Sequence, residues 1–254
     1  MIPTLRVEAL ARARPRMPLA VLPTPLVAAP RLAEALGTGP LLIKRDDLTG
    51  FAFGGNKVRL LEFLVAAATA DGADTLLTGG AAGSNFCAAA AAVARRAGLG
   101  CQLVIAGLAG PPGPALALAR AWGATVRWTG VPERDSVDAA LPAVARELAA
   151  ARQVLTLARD CLRLLGAGTE AGTEAGTEPG PADVIVVDAR GPGHGLPSPD
   201  GLAAAGQAMR TEGLMLDPVY TAKALAHTPK AGPVVFWHTG GVLDAVAAAQ
   251  EAAS

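Results

Sequence analysis

The hydrophobic and polar positions between Asp71 and Ala151 alternate between two periods. Short apolar runs are each followed by a longer stretch with helical spacing, which a glycine often closes. This order of elements is typical of a parallel sheet flanked by helices, so it predicts a compact, doubly wound α/β unit. The predicted strands are Thr75–Thr78, Gln102–Ala106 and Ala124–Trp128, and the predicted helices are Asn85–Ala97, Pro114–Trp122 and Asp135 to about Ala151.

Both ends of the chain carry further elements. The apolar run Leu41–Lys44 predicts a strand that delivers Arg45, Asp46 and Asp47 to a loop. The C-terminal third predicts the strands Asp183–Asp188 and Pro233–Trp237 and the helices Asp200–Met209, Tyr220–Ala226 and Gly241–Ala252.

The stretch between these two parts departs from the alternation. From Ala151 to Gly166 one helical pattern runs directly into another, so we expect no strand there. Gly168–Gly180, with the sequence GTEAGTEAGTEPG, repeats a small polar unit that has no apolar face. It therefore predicts a solvated linker that carries no chemistry.

Composition and charge limit the classes of function. The 254 residues are 51% hydrophobic, and 22 basic residues balance 22 acidic ones, so we expect no nucleic-acid or anionic-membrane partner. The N-terminal arginines interrupt every apolar run, which predicts neither a signal peptide nor a membrane span. Cys87, Cys101 and Cys161 have no metal-ligand spacing and form an odd set, so we expect reduced thiols, no metal and a cytoplasmic location.

The first candidate for chemistry is Lys57. Gly54 and Gly55 precede it and can bring the backbone close to a ligand, and Asn56 can cap the helix that Lys57 enters. The amides and the positive dipole end of such a helix disfavour a protonated amine and favour a nucleophile that attacks an aldehyde. The alternative is an ordinary surface lysine.

Several motifs, in order, together resemble the D-cysteine desulfhydrase and 1-aminocyclopropane-1-carboxylate (ACC) deaminase family of pyridoxal phosphate (PLP) enzymes. The resemblance spans most of the chain and ties both of its ends to one family. The motifs are LPTPL at Leu22–Leu26, KRDDLTGFAFGGNKVRLLE at Lys44–Glu62, GSN at Gly83–Asn85, GPGHGLPSPDGLAA at Gly191–Ala204, TEGLMLDPVYTAKA at Thr211–Ala224 and HTGG at His238–Gly241.

The resemblance implies an α/β fold with two domains and parallel sheets, that of the tryptophan synthase beta-like, fold type II PLP enzymes. Residues 1–60 and 153–254 would form the larger, cofactor-binding domain, which would be incomplete and would contain the linker 167–181. Residues 61–152 would form the smaller parallel domain. A homodimer and a small amino-acid substrate are also implied.

The resemblance assigns roles to the residues around Lys57, which would hold PLP covalently and act as the base on the alpha hydrogen. Asn85 would bond the ring hydroxyl of the cofactor. Ser84 would stand near the substrate carboxylate or act in catalysis, although a serine at this position also caps a helix. Tyr220 would donate to the substrate carboxylate or take part in proton transfer.

Two positions distinguish the branches of the family. Thr221 stands where the deaminases place a carboxylate against the pyridine nitrogen, and Thr239 stands where they tend to have an apolar residue. Both features resemble the desulfhydrase branch, which implies conversion of D-cysteine to pyruvate, ammonia and sulfide, with ACC deamination as an alternative. Gly240, after Thr239, allows ring and backbone to approach closely. His194 replaces the usual tyrosine, either as a tolerated substitution or as an acid or base.

One expected feature of the family is missing from the sequence. Relatives hold the cofactor phosphate on a glycine- and Ser/Thr-rich loop after a strand, and no such loop occurs between Arg152 and Asp183. A single deletion near Arg152 of about 60 to 80 residues, equivalent to two strand-helix units, accounts for the gap. A second hypothesis follows: an inactive relative with unpaired sheet edges. A nicotinamide-dependent oxidoreductase is disfavoured because no G-x-G-x-x-G follows a strand.

Overall fold

Two β-sheets organise the protein in the computed structural model, which describes residues 14–149, 154–156, 187–189, 191–193 and 195–252. The first sheet contains three strands in the order β1-β2-β7, and the second contains four in the order β5-β4-β3-β6. The strands are β1 Leu26–Ala28, β2 Leu41–Arg45, β3 Thr75–Gly80, β4 Gly100–Ile105, β5 Thr125–Trp128, β6 Val154–Thr156 and β7 Val234–His238.

The four-stranded sheet is parallel throughout, as the alternation of periods predicts. Helices cover both of its faces, which confirms the doubly wound unit. On one face Leu61, Cys101 and Leu116 belong to one apolar cluster, and on the other Leu77 packs with Val137. The covering helices are α2 Asn56–Ala70, α3 Asn85–Ala97, α4 Pro114–Ala121 and α5 Asp135–Ala149.

Helix α3 lies against the sheet because its side chains are small. Its residues 87–94 are all buried, and six of these eight are alanines, which combine high helix propensity with a thin contact surface. The Ser84 hydroxyl accepts a hydrogen bond from the Cys87 amide at the start of the helix. Gly98 ends it in the left-handed conformation. Both ends lie where the sequence predicts them.

The expectation of no strand after Ala151 is wrong. Residues Val154–Thr156 form β6, which pairs in parallel with Thr75–Leu77 of β3. This stretch has a helical pattern, but an open edge of β3 supplies hydrogen-bond partners that only the tertiary structure reveals. These residues therefore belong to the sheet of the predicted smaller domain, although the strand begins two positions beyond the predicted end of that domain at residue 152.

The three-stranded sheet has one covered face and one exposed face. Ile43 and Phe236 are buried against the apolar sides of α1 Pro30–Leu36, α6 Pro199–Glu212 and α7 Thr221–Ala226. The alternate side chains Leu42, Val235 and Trp237 point away from that core and are 37%, 60% and 58% exposed. Among the described residues, these three side chains form an apolar strip on the solvent side of the sheet.

The remaining predicted elements follow the sequence closely. Strand Pro233–Trp237 is observed as β7, and helix Gly241–Ala252 is observed as α8 Val242–Ala252. The strand β1 and the helix α1 are additional to the prediction. His194, the linker 167–181 and most of the predicted strand Asp183–Asp188 lie outside the described residues.

The described parts of the chain contain neither a candidate membrane span nor a candidate metal site. No helix there has the length and apolar character that a membrane span needs. The same residues bring together no group of three His, Cys, Asp or Glu side chains that could hold a metal ion.

Candidate active site

A cavity of about 780 Å³ lies between the two sheets and contains most of the residues that the sequence singles out. One wall is the end of β3, the loop after it and the start of α3, with Gly79, Ser84 and Asn85. The opposite wall comes from the segment before α7 and from the loop between β7 and α8. Since β4 and β6 flank β3 on opposite sides, the cavity opens where the winding of the sheet reverses, which is the usual ligand site of such folds.

Lys57 lies in the first turn of α2 and lines this cavity. Burial lowers the pKa of its amine below the ordinary value, and the nearby Asp217 carboxylate opposes that shift only in part. The Lys57 Nζ donates to Asn56 Oδ1 at 2.8 Å. Asn56 is the first residue of the helix, and its side chain is a partner of the Lys57 amine. The expectation that Asn56 caps the helix is wrong, because Gly55 occupies the cap position and makes no side-chain bond there.

The glycine pair before Lys57 makes a close backbone contact with the β7–α8 loop. Gly55 has φ 52° and ψ −140°, a combination open almost only to glycine. The Asn56 amide donates to the Thr239 carbonyl at 3.0 Å. A Cβ on Gly55 would lie 2.1 Å from that same oxygen, so a side chain would separate the two loops.

Ser84 and Asn85 both line the cavity, at the start of α3. Ser84 caps the helix, and its hydroxyl accepts from the Cys87 amide at 3.3 Å. Ser84 therefore caps the helix and also lines the cavity. The Asn85 Nδ2 donates to Asp244 Oδ2 at 2.6 Å, across 159 positions of sequence.

Tyr220 and Thr221 occupy different environments although they are adjacent. Tyr220 lines the cavity, and burial together with the negative charges of Asp217 and Asp244 raises the pKa of its phenol. Thr221 is only 5% exposed and is not part of the cavity wall. Its hydroxyl donates to Asp217 Oδ2 at 2.5 Å, so it is already engaged with a carboxylate of the protein.

Asp217 organises the turn that presents Tyr220. Its Oδ1 accepts from the amides of Val219 and Tyr220, at 3.1 and 2.6 Å. Its Oδ2 accepts from the Thr221 amide at 3.0 Å as well as from the Thr221 hydroxyl. The sequence indicated a turn at Asp217 but not that its carboxylate would make these four bonds and lie near the amine of Lys57.

Two charged residues of the cavity lining were not indicated by the sequence. Asp244 belongs to the first turn of α8, three residues after Gly241, and only its proximity to HTGG was a usable signal. Arg134 lies just before α5, and no feature of the sequence marked it. Thr239 and Gly240 line the cavity as well.

The cavity lining suits the aldehyde and the ring of PLP better than it suits the phosphate. A half-buried amine of lowered pKa matches the cofactor's aldehyde, and Asn85 and Tyr220 offer polar groups for its ring. The phosphate is a dianion, whereas Asp217 and Asp244 add negative charge. Among the described residues that line the cavity, Arg134 is the one cation besides Lys57.

Comparison with known proteins gave one family match. The model of the family described as "Pyridoxal-phosphate dependent enzyme" matches residues 17–169. The D-cysteine desulfhydrase of Salmonella choleraesuis (strain SC-B67) is 31% identical over 312 positions, which include 89% of this chain and 94% of the relative. These positions outnumber the 254 residues of the chain by 58, so the relative has residues without a counterpart here, as a deletion requires.

Solved structures agree on the fold. The structure of an ACC deaminase homologue has a TM-score of 0.74 and 23% identity, covering 99% of this chain and 98% of that one. A mutant of O-ureido-L-serine synthase with bound O-ureido-L-serine has a TM-score of 0.58 and 16% identity, covering 88% and 89%. These likenesses show the fold type II architecture.

Proposed function

Because the chain belongs to the pyridoxal-phosphate dependent enzymes, with D-cysteine desulfhydrases among its relatives, we propose that it catalyses β-elimination from a small amino acid. D-cysteine is the proposed substrate: D-cysteine and water give pyruvate, ammonia and hydrogen sulfide. Thr221 and Thr239, which resemble the desulfhydrase branch, support this choice over ACC deamination. The single observation that carries the proposal is the half-buried Lys57 amine in a cavity between the two sheets that Ser84, Asn85 and Tyr220 also line.

Lys57 has two proposed tasks. Its amine would hold the aldehyde of PLP, and as the free amine it would act as the base that removes the alpha hydrogen of the substrate. PLP, when bound, supplies the electron sink for the carbon that loses this proton. The lowered pKa supports both tasks because it increases the fraction of neutral, proton-accepting amine near neutral pH.

The other cavity residues bind and orient. Asn85 is proposed to hold the ring hydroxyl of the cofactor, and Ser84, at the start of α3, to face the substrate carboxylate, which a helix N-terminus favours. Tyr220 is proposed to donate to that carboxylate or to move a proton. Thr239 and Gly240 shape the wall beside the ring, and Thr221 acts through its bond to Asp217.

The second candidate is a relative that has lost activity. Two observations favour it: the three-stranded sheet with an exposed apolar face, and an alignment longer than the chain. A phosphate loop provides several amide hydrogen bonds to a doubly charged group, and its loss leaves PLP with the contacts to its aldehyde and ring. The homodimer and the cytoplasmic location remain predictions.

Borohydride trapping tests the proposal directly. Incubation with PLP, reduction and peptide mapping should label Lys57 and leave two other lysines unlabelled. Those are Lys44, whose amine donates to the Thr24 carbonyl at 2.6 Å, and Lys223, which is 5% exposed. Label on either of them would contradict the assignment of Lys57.

Turnover separates the two candidates. Pyruvate release from D-cysteine should be measured for the wild type, for Lys57→Ala and for Lys230→Ala, which removes a lysine outside the cavity wall as a matched control. Activity that Lys57→Ala abolishes and Lys230→Ala retains supports the desulfhydrase. Label on Lys57 without turnover supports the inactive relative.

A further inference from the structure

A carboxylate from the last helix reaches across the cavity to the residue proposed to hold the cofactor ring. Asp244 lies in the first turn of α8, directly after the Thr239–Gly241 loop. Its Oδ2 accepts from Asn85 Nδ2 at 2.6 Å, close for a bond of this type. Asn85 opens α3 on the four-stranded sheet, whereas α8 follows β7 of the three-stranded sheet. The bond therefore joins the two walls of the cavity.

The chemistry of a carboxylate determines how the Asn85 amide must face. An ionised carboxylate only accepts hydrogen bonds, so the NH₂ end of Asn85 has to point toward Asp244 and its carbonyl end away from it. The NH₂ group has two hydrogens and only one is used by Asp244. Among the described residues, the side chain of Asn85 has no other hydrogen-bond partner. One N–H is left for a ligand in the cavity.

Asp244 lies in a partly buried environment that disfavours the charged form of its carboxyl. Burial raises the pKa of its carboxyl, the bond from Asn85 opposes that shift, and the negative charge of Asp217 adds to it. The negative charge of Asp244 also contributes to the raised pKa of the Tyr220 phenol. Within the part of the chain that the structure describes, Asp244 has its hydrogen bond from Asn85 and no ion pair with a cation.

We infer that Asp244 is a positioning residue that orients the Asn85 carboxamide so that its remaining N–H can bind the ring hydroxyl of PLP. The inference rests on the proposed function because it assumes that Asn85 holds the cofactor. Asp244 acts through Asn85 and does not itself contact the cofactor. The loss of Asp244 should therefore matter only while Asn85 is present.

A double-mutant cycle tests this dependence without relying on turnover. The dissociation constant of PLP is measured by absorbance titration for the wild type, Asp244→Ala, Asn85→Ala and the double variant. We expect Asp244→Ala to weaken binding about tenfold when Asn85 is present and less than about twofold when it is absent. Equal effects in the two backgrounds, or no effect in either, would overturn the inference.

Two further variants guard against misfolding and unspecific effects. Asp200 also lies in the first turn of a helix, α6, but outside the cavity wall, so Asp200→Ala should leave PLP binding within about twofold of the wild type. If Asp244→Ala does not fold, Asp244→Leu takes its place in the cycle, since leucine has nearly the shape of the aspartate side chain but accepts no hydrogen bond. Asp244→Leu must then weaken binding more with Asn85 present than in the Asn85→Ala background.

The outcomes also separate this inference from the proposed function. A wild-type chain that does not bind PLP would overturn both. A wild type that binds PLP through Lys57 but shows additive effects of the two substitutions would overturn only the role of Asp244. Coupled effects in the cycle, together with an inert Asp200→Ala variant, support both.

Discussion

The contact between Gly55 and the Thr239 carbonyl makes Gly55→Ala the most informative single substitution for the cavity. At φ 52° and ψ −140°, an alanine would be strained by about 1–3 kcal/mol. Its Cβ would also lie 2.1 Å from Thr239 O and 3.0 Å from Gly240 Cα, and backbone atoms cannot rotate away. Separating the loops would break the Asn56 to Thr239 hydrogen bond, which contributes about 1 kcal/mol. We therefore expect a loss of about 3 kcal/mol in the free energy of unfolding.

Gly37→Ala is the matched control because it separates conformational strain from crowding. Gly37 ends α1 at φ 62°, and an added Cβ would meet nothing within 4 Å. The left-handed conformation alone should destabilise this variant by about 1 kcal/mol. Urea unfolding of the wild type and both variants gives the comparison. A Gly55→Ala loss no larger than that of Gly37→Ala would refute the contact between the loops.

Two further predictions concern the cofactor and the thiols. Without a phosphate loop, pyridoxal should bind almost as well as PLP in an absorbance titration. The reason is that each charge-assisted hydrogen bond that the phosphate loses removes about 1.5 to 3 kcal/mol of the preference for PLP over pyridoxal. A strong preference for PLP would show that another segment holds the phosphate. Burial raises the pKa of Cys87 to about 11 and that of Cys101 to about 12. In a Cys161→Ser variant both thiols should therefore resist iodoacetamide at neutral pH and react faster as the pH rises toward these values. Rapid labelling of the native protein at neutral pH would contradict their burial.

The parts of the fold that depend on local sequence could be predicted. Helix α3 begins after Ser84 and ends before Gly98 because a hydroxyl cap and a left-handed glycine act within one turn of the helix. The parallel sheet follows from the alternation of periods, since a strand, a helix and a strand of these lengths connect most simply in parallel. Lys57 stood out because the glycine pair before it is unusual at a helix start.

The parts that depend on tertiary contacts could not be predicted. The bond from Asn85 to Asp244 joins residues 159 positions apart, and nothing near Asp244 indicates its partner. Strand β6 has only three residues, whose pattern fits a helix, and the open edge of β3 determines its conformation. The position of Asn56 inside the helix depends on the backbone conformation of Gly55 and on the bond from the Asn56 amide to the distant Thr239 carbonyl.

The exposed face of the three-stranded sheet has a consequence for the colloidal behaviour of the protein. Val235 and Trp237 present apolar surface to solvent, and the formal net charge of zero provides no long-range repulsion between molecules. With an isoelectric point near 6.8, solubility should be lowest close to neutral pH. Concentrated solutions should therefore be clearest at mildly alkaline pH, where every molecule carries the same sign of charge, and kosmotropic salts should precipitate the protein early.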